Sequence, residues 1–293
     1  MKSFVVGGLL AVTLSAATPA FAQDSASASS WTGPYAGMRL GFSWQPKDRN
    51  ETLIFDTNRD GTFNDTVRTT TGANAFSPGF CGGVGHTSLP ANGCQGDAGG
   101  TEIAGVLGFD YQIGSNIVVG ALVDYGRSGV TDGVSGFSTT PANYTFSRTL
   151  RGQGSLRARA GYAVAIFDAE PTTLAYATGG LAYGRVRNRF GTTNGANAFI
   201  DPKGDDARLN QARDNVWGYT YGGGVEQRIG KFSIGVLYLY TSLKDNDYVV
   251  DVQRGAAPVT NPFLLTNATG TFMKRSYSDF NRHSVSVTTS YRF

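Results

Sequence analysis

Residues 56 to 65 read Asp-Thr-Asn-Arg-Asp-Gly-Thr-Phe-Asn-Asp and set the oxygen-bearing side chains of Asp56, Asn58, Asp60 and Asn64 around Gly61. That spacing lets a tight loop wrap a hard cation such as calcium, with Thr62 giving its backbone carbonyl. Val67 stands where an EF-hand places a bidentate glutamate, so the pattern is the simpler Asp-x-Asn-x-Asp-Gly kind. An ordinary Asp-Gly turn is written with the same letters. Cys81 and Cys94 follow in the same glycine-rich segment; in an oxidising compartment the pair is expected as an intraloop disulfide. Of the two histidines, His86 shares that segment and His283 lies near the C-terminus. Each is isolated, which is how ordinary polar histidines occur, and each is a candidate haem ligand only in that weak sense. A hydrolytic pair could be sought only at His283 with Ser284 or Asp279. Neighbours on a strand face opposite ways, so His283 and Ser284 cannot meet directly. Gly99-Gly100 and Gly222 to Gly224 lack the lysine and helix of a phosphate loop.

The elements that carry these residues repeat with a period of two. In the last ten residues Val285, Val287, Tyr291 and Phe293 share one face with Thr289, opposite Ser284, Ser286, Thr288, Ser290 and Arg292. Only an extended chain sorts residues in this way. The alternation recurs in seven further segments. Ala36 to Trp44 places Met38, Leu40 and Phe42 opposite Arg39. Ile103 to Tyr111 opposes Glu102 and Asp110, and Ile117 to Tyr125 opposes Asp124. The fourth segment is expected to send Leu150, Leu156, Ala158, Ala160 and Tyr162 outward, with Arg151, Gln153, Ser155, Arg157 and Arg159 inward. The fifth, Leu174 to Val186, keeps its period through Gly179-Gly180 only with a bulge or glycine kink. The sixth runs from Trp217 to Arg228 with Glu226 and Arg228 inward, and the seventh turns Ile234, Val236, Tyr238 and Tyr240 outward.

An apolar outer face over a polar inner one suits a strand with lipid outside. Residues 1–22 read as a signal peptide: Lys2, an apolar run from Phe4 to Leu14, and the small-residue site Ala20-Phe21-Ala22. Residues 23–30 form a Ser/Ala linker, and 31–293 the barrel domain. No other segment approaches the roughly 20 apolar residues of a spanning helix, so a membrane fold must be a closed barrel. Forty glycines, 14 tyrosines, 18 phenylalanines and 2 cysteines fit a β-rich chain without a disulfide scaffold. Removing Lys2 with the leader leaves basic and acidic residues nearly balanced, and nothing points to nucleic acid.

The expected fold is an all-β, eight-stranded antiparallel up-and-down transmembrane β-barrel in the outer membrane of a Gram-negative bacterium. Its strands are expected to be about 9 to 11 residues long. Short turns near 113, 168 and 230 face the periplasm, and 45–100, 128–147, 187–215 and 244–280 form long extracellular loops. A soluble lipocalin-like barrel has a similar strand number but the reverse polarity. Aromatic residues at strand ends, long loops on one side and a terminal aromatic strand favour lipid.

Trp31-Thr-Gly-Pro-Tyr35-Ala-Gly, Gly154-Ser-Leu-Arg157-Ala-Arg159-Ala-Gly-Tyr162, Tyr176-Ala-Thr-Gly-Gly-Leu-Ala-Tyr183-Gly-Arg-Val, Tyr221-Gly-Gly-Gly-Val-Glu226 and Ser290-Tyr-Arg-Phe293 resemble porin-family outer-membrane proteins with an opacity-like eight-stranded barrel. The resemblance covers the strands. It implies a small surface antigen or haemin-binding protein, inserted by the outer-membrane assembly machinery through a C-terminal signal carried by Tyr291 and Phe293. Leu237 departs from the family's usual inward glutamate, which takes away a lumenal carboxylate.

The inward charges Arg39, Glu102, Asp110, Asp124, Arg157, Arg159, Glu226 and Arg228 are expected to pack the lumen as ion pairs, because an eight-stranded barrel is filled by its own side chains. The chain therefore reads as a non-enzymatic structural and surface-interaction protein whose partners are outer-membrane lipid, the assembly machinery and an extracellular loop ligand, with haem among the candidates. A narrow pore for ions or small solutes is the alternative, and an outer-membrane enzyme the third reading.

Overall fold

The structure, a computed structural model, describes residues 30–46, 50–166, 172–209, 211–245 and 248–293. The expected signal peptide, most of the linker and the turn near 168 lie outside the described residues. Along the chain the strands are β1 (Gly33–Trp44), β2 (Leu53–Asp56), β3 (Gly79–Gly82), β4 (Val84–Gly85) and β5 (Cys94–Gln95). There follow β6 (Gly100–Ile113), β7 (Ile117–Ser128), β8 (Thr131–Ser138), β9 (Ala142–Val164) and β10 (Thr173–Thr192). The last are β11 (Ala198–Ile200), β12 (Gln211–Ile229), β13 (Phe232–Lys244), β14 (Val250–Gln253), β15 (Thr271–Arg275) and β16 (Asp279–Arg292).

Eight of these strands close a barrel in the order β1, β6, β7, β9, β10, β12, β13, β16 and back to β1, every pairing antiparallel. Closure leaves no edge, which is what lets strands stand in hydrocarbon. Tight turns at Gly114 and Gly230, both at φ 62°, join β6 to β7 and β12 to β13. Phe293 follows β16, and its N–H still donates to the Pro34 carbonyl at 3.1 Å. The outward side chains between the ends are apolar: Leu40, Leu107, Val123, Leu156, Leu181, Val236 and Val287 are all exposed. Aromatic rings collect at both rims, with Phe232, Tyr291 and Phe293 below, and Trp44, His283, Tyr238, Tyr240, Tyr221, Tyr219, Trp217 and Tyr183 above. These are the interfacial girdles of a membrane barrel.

The structure corrects the loop reading on the extracellular side. Three barrel strands are far longer than the expected span, β9 having 23 residues, β10 20 and β12 19. Much of 128–147 is the β8–β9 hairpin, paired from Thr131↔Thr149 to Ser138↔Ala142. A second sheet, β11-β14-β15-β2, forms from the other three outer segments. Its apolar face and the inner faces of the extended β9 and β10 enclose a core of Leu53, Phe55, Phe76, Tyr144, Phe146, Phe190, Phe199, Val250, Phe263 and Met273. The outer half is therefore a folded cap with its own apolar centre.

A second correction concerns the fourth barrel strand. Leu150 points inward, fully buried, and Arg151 points outward. The pairing of β9 with β10 slips at this point: Arg185 opposes Gly152 but Val186 opposes Leu150, so Arg151 is an extra residue in a bulge. One extra residue exchanges the two faces of everything beyond it. The glycines Gly179 and Gly180, expected to carry the irregularity, instead keep both partners in continuous register.

Candidate functional site: the lumen and its cap

Inside the barrel the charged side chains predicted to face inward are brought together by register. Leu40 opposes Ile103 across β1 and β6, which sets Arg39 and Glu102 on the same inner face. Glu102 pairs with Arg39 and, at 2.7 Å, with Arg282, and it accepts from Ser43 (2.7 Å), Ser286 (2.8 Å) and Gln153 (3.0 Å). Asp124 holds Arg157 at 2.8 Å and Arg39 at 3.2 Å. Asp110 takes Arg159 through Nε at 2.7 Å and Arg292 at 2.8 Å; Glu226 holds Arg159 at 3.0 Å. Arg228 finds no carboxylate among the described residues and donates to the Gly230 carbonyl at 2.7 Å and to that of Ser30. Arg282 and Arg292 escaped the sequence reading as network members, although both stand on the polar face of the terminal alternation.

Aromatic faces complete the network. The Arg159 guanidinium lies 4.9 Å from the Tyr35 ring and 5.0 Å from that of Tyr176. Both rings need neighbouring glycines: a Cβ on Gly108 would lie 2.3 Å from Tyr35, and one on Gly224 2.8 Å from the Tyr176 hydroxyl. Leu237, 3% exposed, fills the place of the absent carboxylate and joins Trp31, Val118, Ala163, Leu174, Tyr176 and Leu239 in an apolar plug. Leu150, Ala182, Val186, Val216, Leu243 and Phe280 form another at the opposite end of the network. Two cavities between them measure about 10 and 30 Å³, room for little more than a water molecule.

Above the upper plug a further ion-pair cluster joins barrel to cap; its members lie in or beside segments expected as loops, where no local pattern marks them. Arg148 pairs with Asp132 and, at 3.4 Å, with Asp245, and donates to the carbonyls of Ser278 (2.8 Å) and Asp279 (2.7 Å). Arg275 clamps Glu51 through Nε at 2.6 Å and Nη2 at 2.7 Å, and reaches Asp132 at 2.8 Å. Burial pushes the Glu51 carboxyl up to about 7, against the pull of Arg275. Burial acts on Asp132 in the same sense, but Arg275 and Arg148 outweigh it and hold that carboxyl below the usual range.

The Asp56-to-Asn64 loop lies on the cap. Asp56 is buried at the end of β2, its two oxygens accepting from Asp60 N (3.1 Å) and Gly61 N (2.9 Å). Asp60 accepts from Asn58 Nδ2 (2.9 Å) and Thr62 N (2.7 Å). Among the described residues no group of three His, Cys, Asp or Glu side chains could hold a metal ion. Arg59, at φ 64°, carries its guanidinium out to Asp251 and the Gly270 carbonyl (3.1 Å) and over the Phe272 ring (4.3 Å), tying the loop to β14 and β15. The geometry is that of a turn stapled to its sheet, and calcium binding by it is a proposal. Cys81 and Cys94 form a disulfide linking β3 to β5, with Cα atoms 6.4 Å apart. His86 is exposed beside it. His283 hydrogen-bonds through Nδ1 to the Tyr238 hydroxyl (2.7 Å) and stacks on Trp44, while Ser284 is buried on the inner face, so the two form no hydrolytic pair.

No family model matches the chain. It is 27% identical over 267 residues to the 31 kDa outer-membrane immunogenic protein of Brucella melitensis, covering 90% of this chain and 84% of the relative, with the same figures for the protein of that name from Brucella suis. Solved structures that resemble it include the outer-membrane protein OprG of Pseudomonas aeruginosa (TM-score 0.41, 10% identity, 89% of this chain and 97% of that one). Another is Ail, the attachment invasion locus protein of Yersinia pestis, in complex with the heparin analogue sucrose octasulfate (TM-score 0.32, 10% identity, 89% and 99%). A closed barrel with lipid-facing apolar strands, two aromatic girdles and this relationship in sequence identifies the chain as an eight-stranded β-barrel protein of the Gram-negative outer membrane, similar to an outer-membrane immunogenic protein.

Proposed function

We propose that the protein is a sealed membrane anchor that presents a folded extracellular cap for interaction at the cell surface. The observation that carries this reading is the cap itself. A barrel needs only short connections to close, yet the outer segments form a four-stranded sheet over an aromatic core. Phe76 packs against Phe55, Tyr144 and Phe263 with ring centroids 4.6 to 5.9 Å apart. A concave groove of about 240 Å³ opens beside it, lined by Val67, Phe76, Pro141, Tyr144, Asn194 and Phe263. Such mixed apolar and amide linings suit small ligands or a partner's side chain. Haem would enter this groove without a histidine ligand, since neither His86 nor His283 lines it.

The packed lumen weighs against the pore reading, because general diffusion pores are built from about 16 or more strands. Whole cells displaying the protein, compared with cells displaying a form whose 50–99 and 246–277 segments are replaced by short Gly-Ser turns, test the proposal. Binding of antibody and candidate ligands is expected to vanish with the cap while the barrel persists. Steady single-channel conductance in planar bilayers, unaltered by the replacement, would overturn it.

A further inference from the structure

Six arginines stand on the outer wall of the barrel just above the upper girdle: Arg127 on β7, Arg151 on β9, Arg185, Arg187 and Arg189 on β10, and Arg213 on β12. Five of them, all but Arg189, line one groove of about 570 Å³ together with Tyr125, Asn215 and a single carboxylate, Asp214. None of the six forms an ion pair among the described residues, and Asp214 already accepts from Asn188 at 3.0 Å. Arg187 and Arg213 are direct cross-strand partners, an arrangement of like charges that destabilises a sheet unless an anion lies between them. Loss of solvation and then the nearness of Arg151, Arg213 and Arg189 hold the Arg187 pKa below its ordinary value. The bulge that turns Leu150 inward is also what turns Arg151 out into this group. Bulges of this kind re-aim a side chain.

The placement identifies the anion. Immediately membrane-side of the arginines lie Tyr125, Tyr183, Trp217 and Leu181, all on the lipid-facing wall. A ligand resting here has apolar surface below and guanidinium groups above, which is the polarity of an amphiphile with acyl chains and a phosphorylated head. Planar guanidinium forks match phosphate oxygens in pairs. A second groove of about 500 Å³ shares Arg151 and Arg187, adds Arg189, and continues outward along the hydroxyls of Thr145, Ser147 and Thr149, donors and acceptors suited to sugar. We propose that this wall is a binding site for the phosphorylated glycolipid of the outer leaflet, its phosphates held by Arg151, Arg187 and Arg213 and its acyl chains lying along Leu181 and Trp217.

The test uses the purified mature protein in dodecyl maltoside, with bis-phosphorylated lipid A, chemically dephosphorylated lipid A and inorganic pyrophosphate as probes. Native mass spectrometry and calorimetry are expected to give saturable lipid A binding that falls about ten-fold or more without the phosphates. Pyrophosphate should displace it only at far higher concentration. The R151Q/R187Q/R213Q variant should bind lipid A about ten-fold or more weakly, while R208Q, whose side chain lies on Asp206 in the cap, binds as the parent does. Three results would overturn the proposal: equal affinity for dephosphorylated lipid A, displacement by pyrophosphate at the concentration of lipid A itself, or undiminished binding by a triple variant whose gel mobility still shifts on boiling. Should the triple variant fail to fold, the comparison of the two lipids on the unaltered protein decides.

Discussion

The two halves of β10 obey opposite rules. Between Ala177 and Tyr183 its outward residues are apolar or glycine, as at Leu181, and its inward ones small, as at Thr178, Gly180 and Ala182. Above Tyr183 the outward residues are Arg185, Arg187 and Arg189, and the inward ones Val186, Asn188 and Phe190. The backbone does not change and its period does not break; what changes is the solvent on the outer side. In hydrocarbon the barrel turns apolar groups out and must neutralise the charges it encloses. In water the same strand encloses apolar groups, and burial of Phe190 against Phe146 and Phe199 stabilises the cap as in any soluble domain. Membrane barrel and cap thus share strands but are held by different forces, and perturbations should separate them.

The largest effect is expected in the lumen. Glu102→Gln leaves Arg282 buried without a carboxylate partner among the described residues and Arg39 with Asp124 alone, a loss of about 3–5 kcal/mol. Glu226→Gln should cost less, because Arg159 keeps Asp110. Urea midpoints of the two variants in lipid vesicles should fall in that order; equal midpoints would show that the number of arginine partners does not set the cost. In the cap, Phe76→Ala removes a ring that touches four other aromatic residues and should cost about 3–5 kcal/mol locally. Trypsin should then cut at Arg59 or Arg68 while the boiling-dependent gel shift of the barrel is unaltered. Loss of both together would mean that cap and barrel unfold as one unit.

The buckle between the halves should respond to pH. With its folded pKa raised to about 7 from an unfolded value near 4.5, ionised Glu51 opposes folding, so its unfavourable contribution grows as pH rises from about 4.5 through 7. The cap should resist trypsin better at pH 5.5 than at pH 8, by about 1–3 kcal/mol in opening free energy, and Glu51→Gln should flatten that profile. A profile unchanged by the substitution would assign the pH dependence elsewhere.

Two smaller effects sharpen the contrast at the periphery. Phe293 is 70% exposed and meets the protein mainly through the Tyr291 ring, 5.3 Å away. Deleting it should change the unfolding free energy of assembled protein by about 1 kcal/mol or less while sharply lowering the amount that reaches the outer membrane. Normal surface levels would dismiss the proposed assembly signal. Asp56→Ala/Asp60→Ala removes acceptors for the amides of Asp60, Gly61 and Thr62 and should loosen the loop by about 1–2 kcal/mol. If the loop also takes calcium, a saturable heat signal at about 0.1–1 mM should disappear in the double variant; without that signal the motif is a turn only.

The period of two, the number of barrel strands, the lipid-facing residues and the candidacy of the cysteine pair were all legible in the sequence, because each depends on residues near one another along the chain. The inward faces of β1, β6, β7 and β16 could be read for the same reason: alternation needs no knowledge of neighbours. Which charge meets which could not be read, since Glu102 meets Arg282 across 180 residues through register alone. The cap was hidden by a local rule that worked too well. Apolar-outward alternation marks only the membrane-spanning part of a strand, and β9 and β10 exchange polarity where they leave the membrane, so Phe146, Arg148 and Phe190 carry no such mark. One extra residue at Arg151 then reversed the faces of Leu150 and Arg151, and no local pattern distinguishes a bulge from a regular step. The arginine wall shows the same limit: Arg127, Arg151, Arg187 and Arg213 come from four strands, and only the closed sheet sets them side by side.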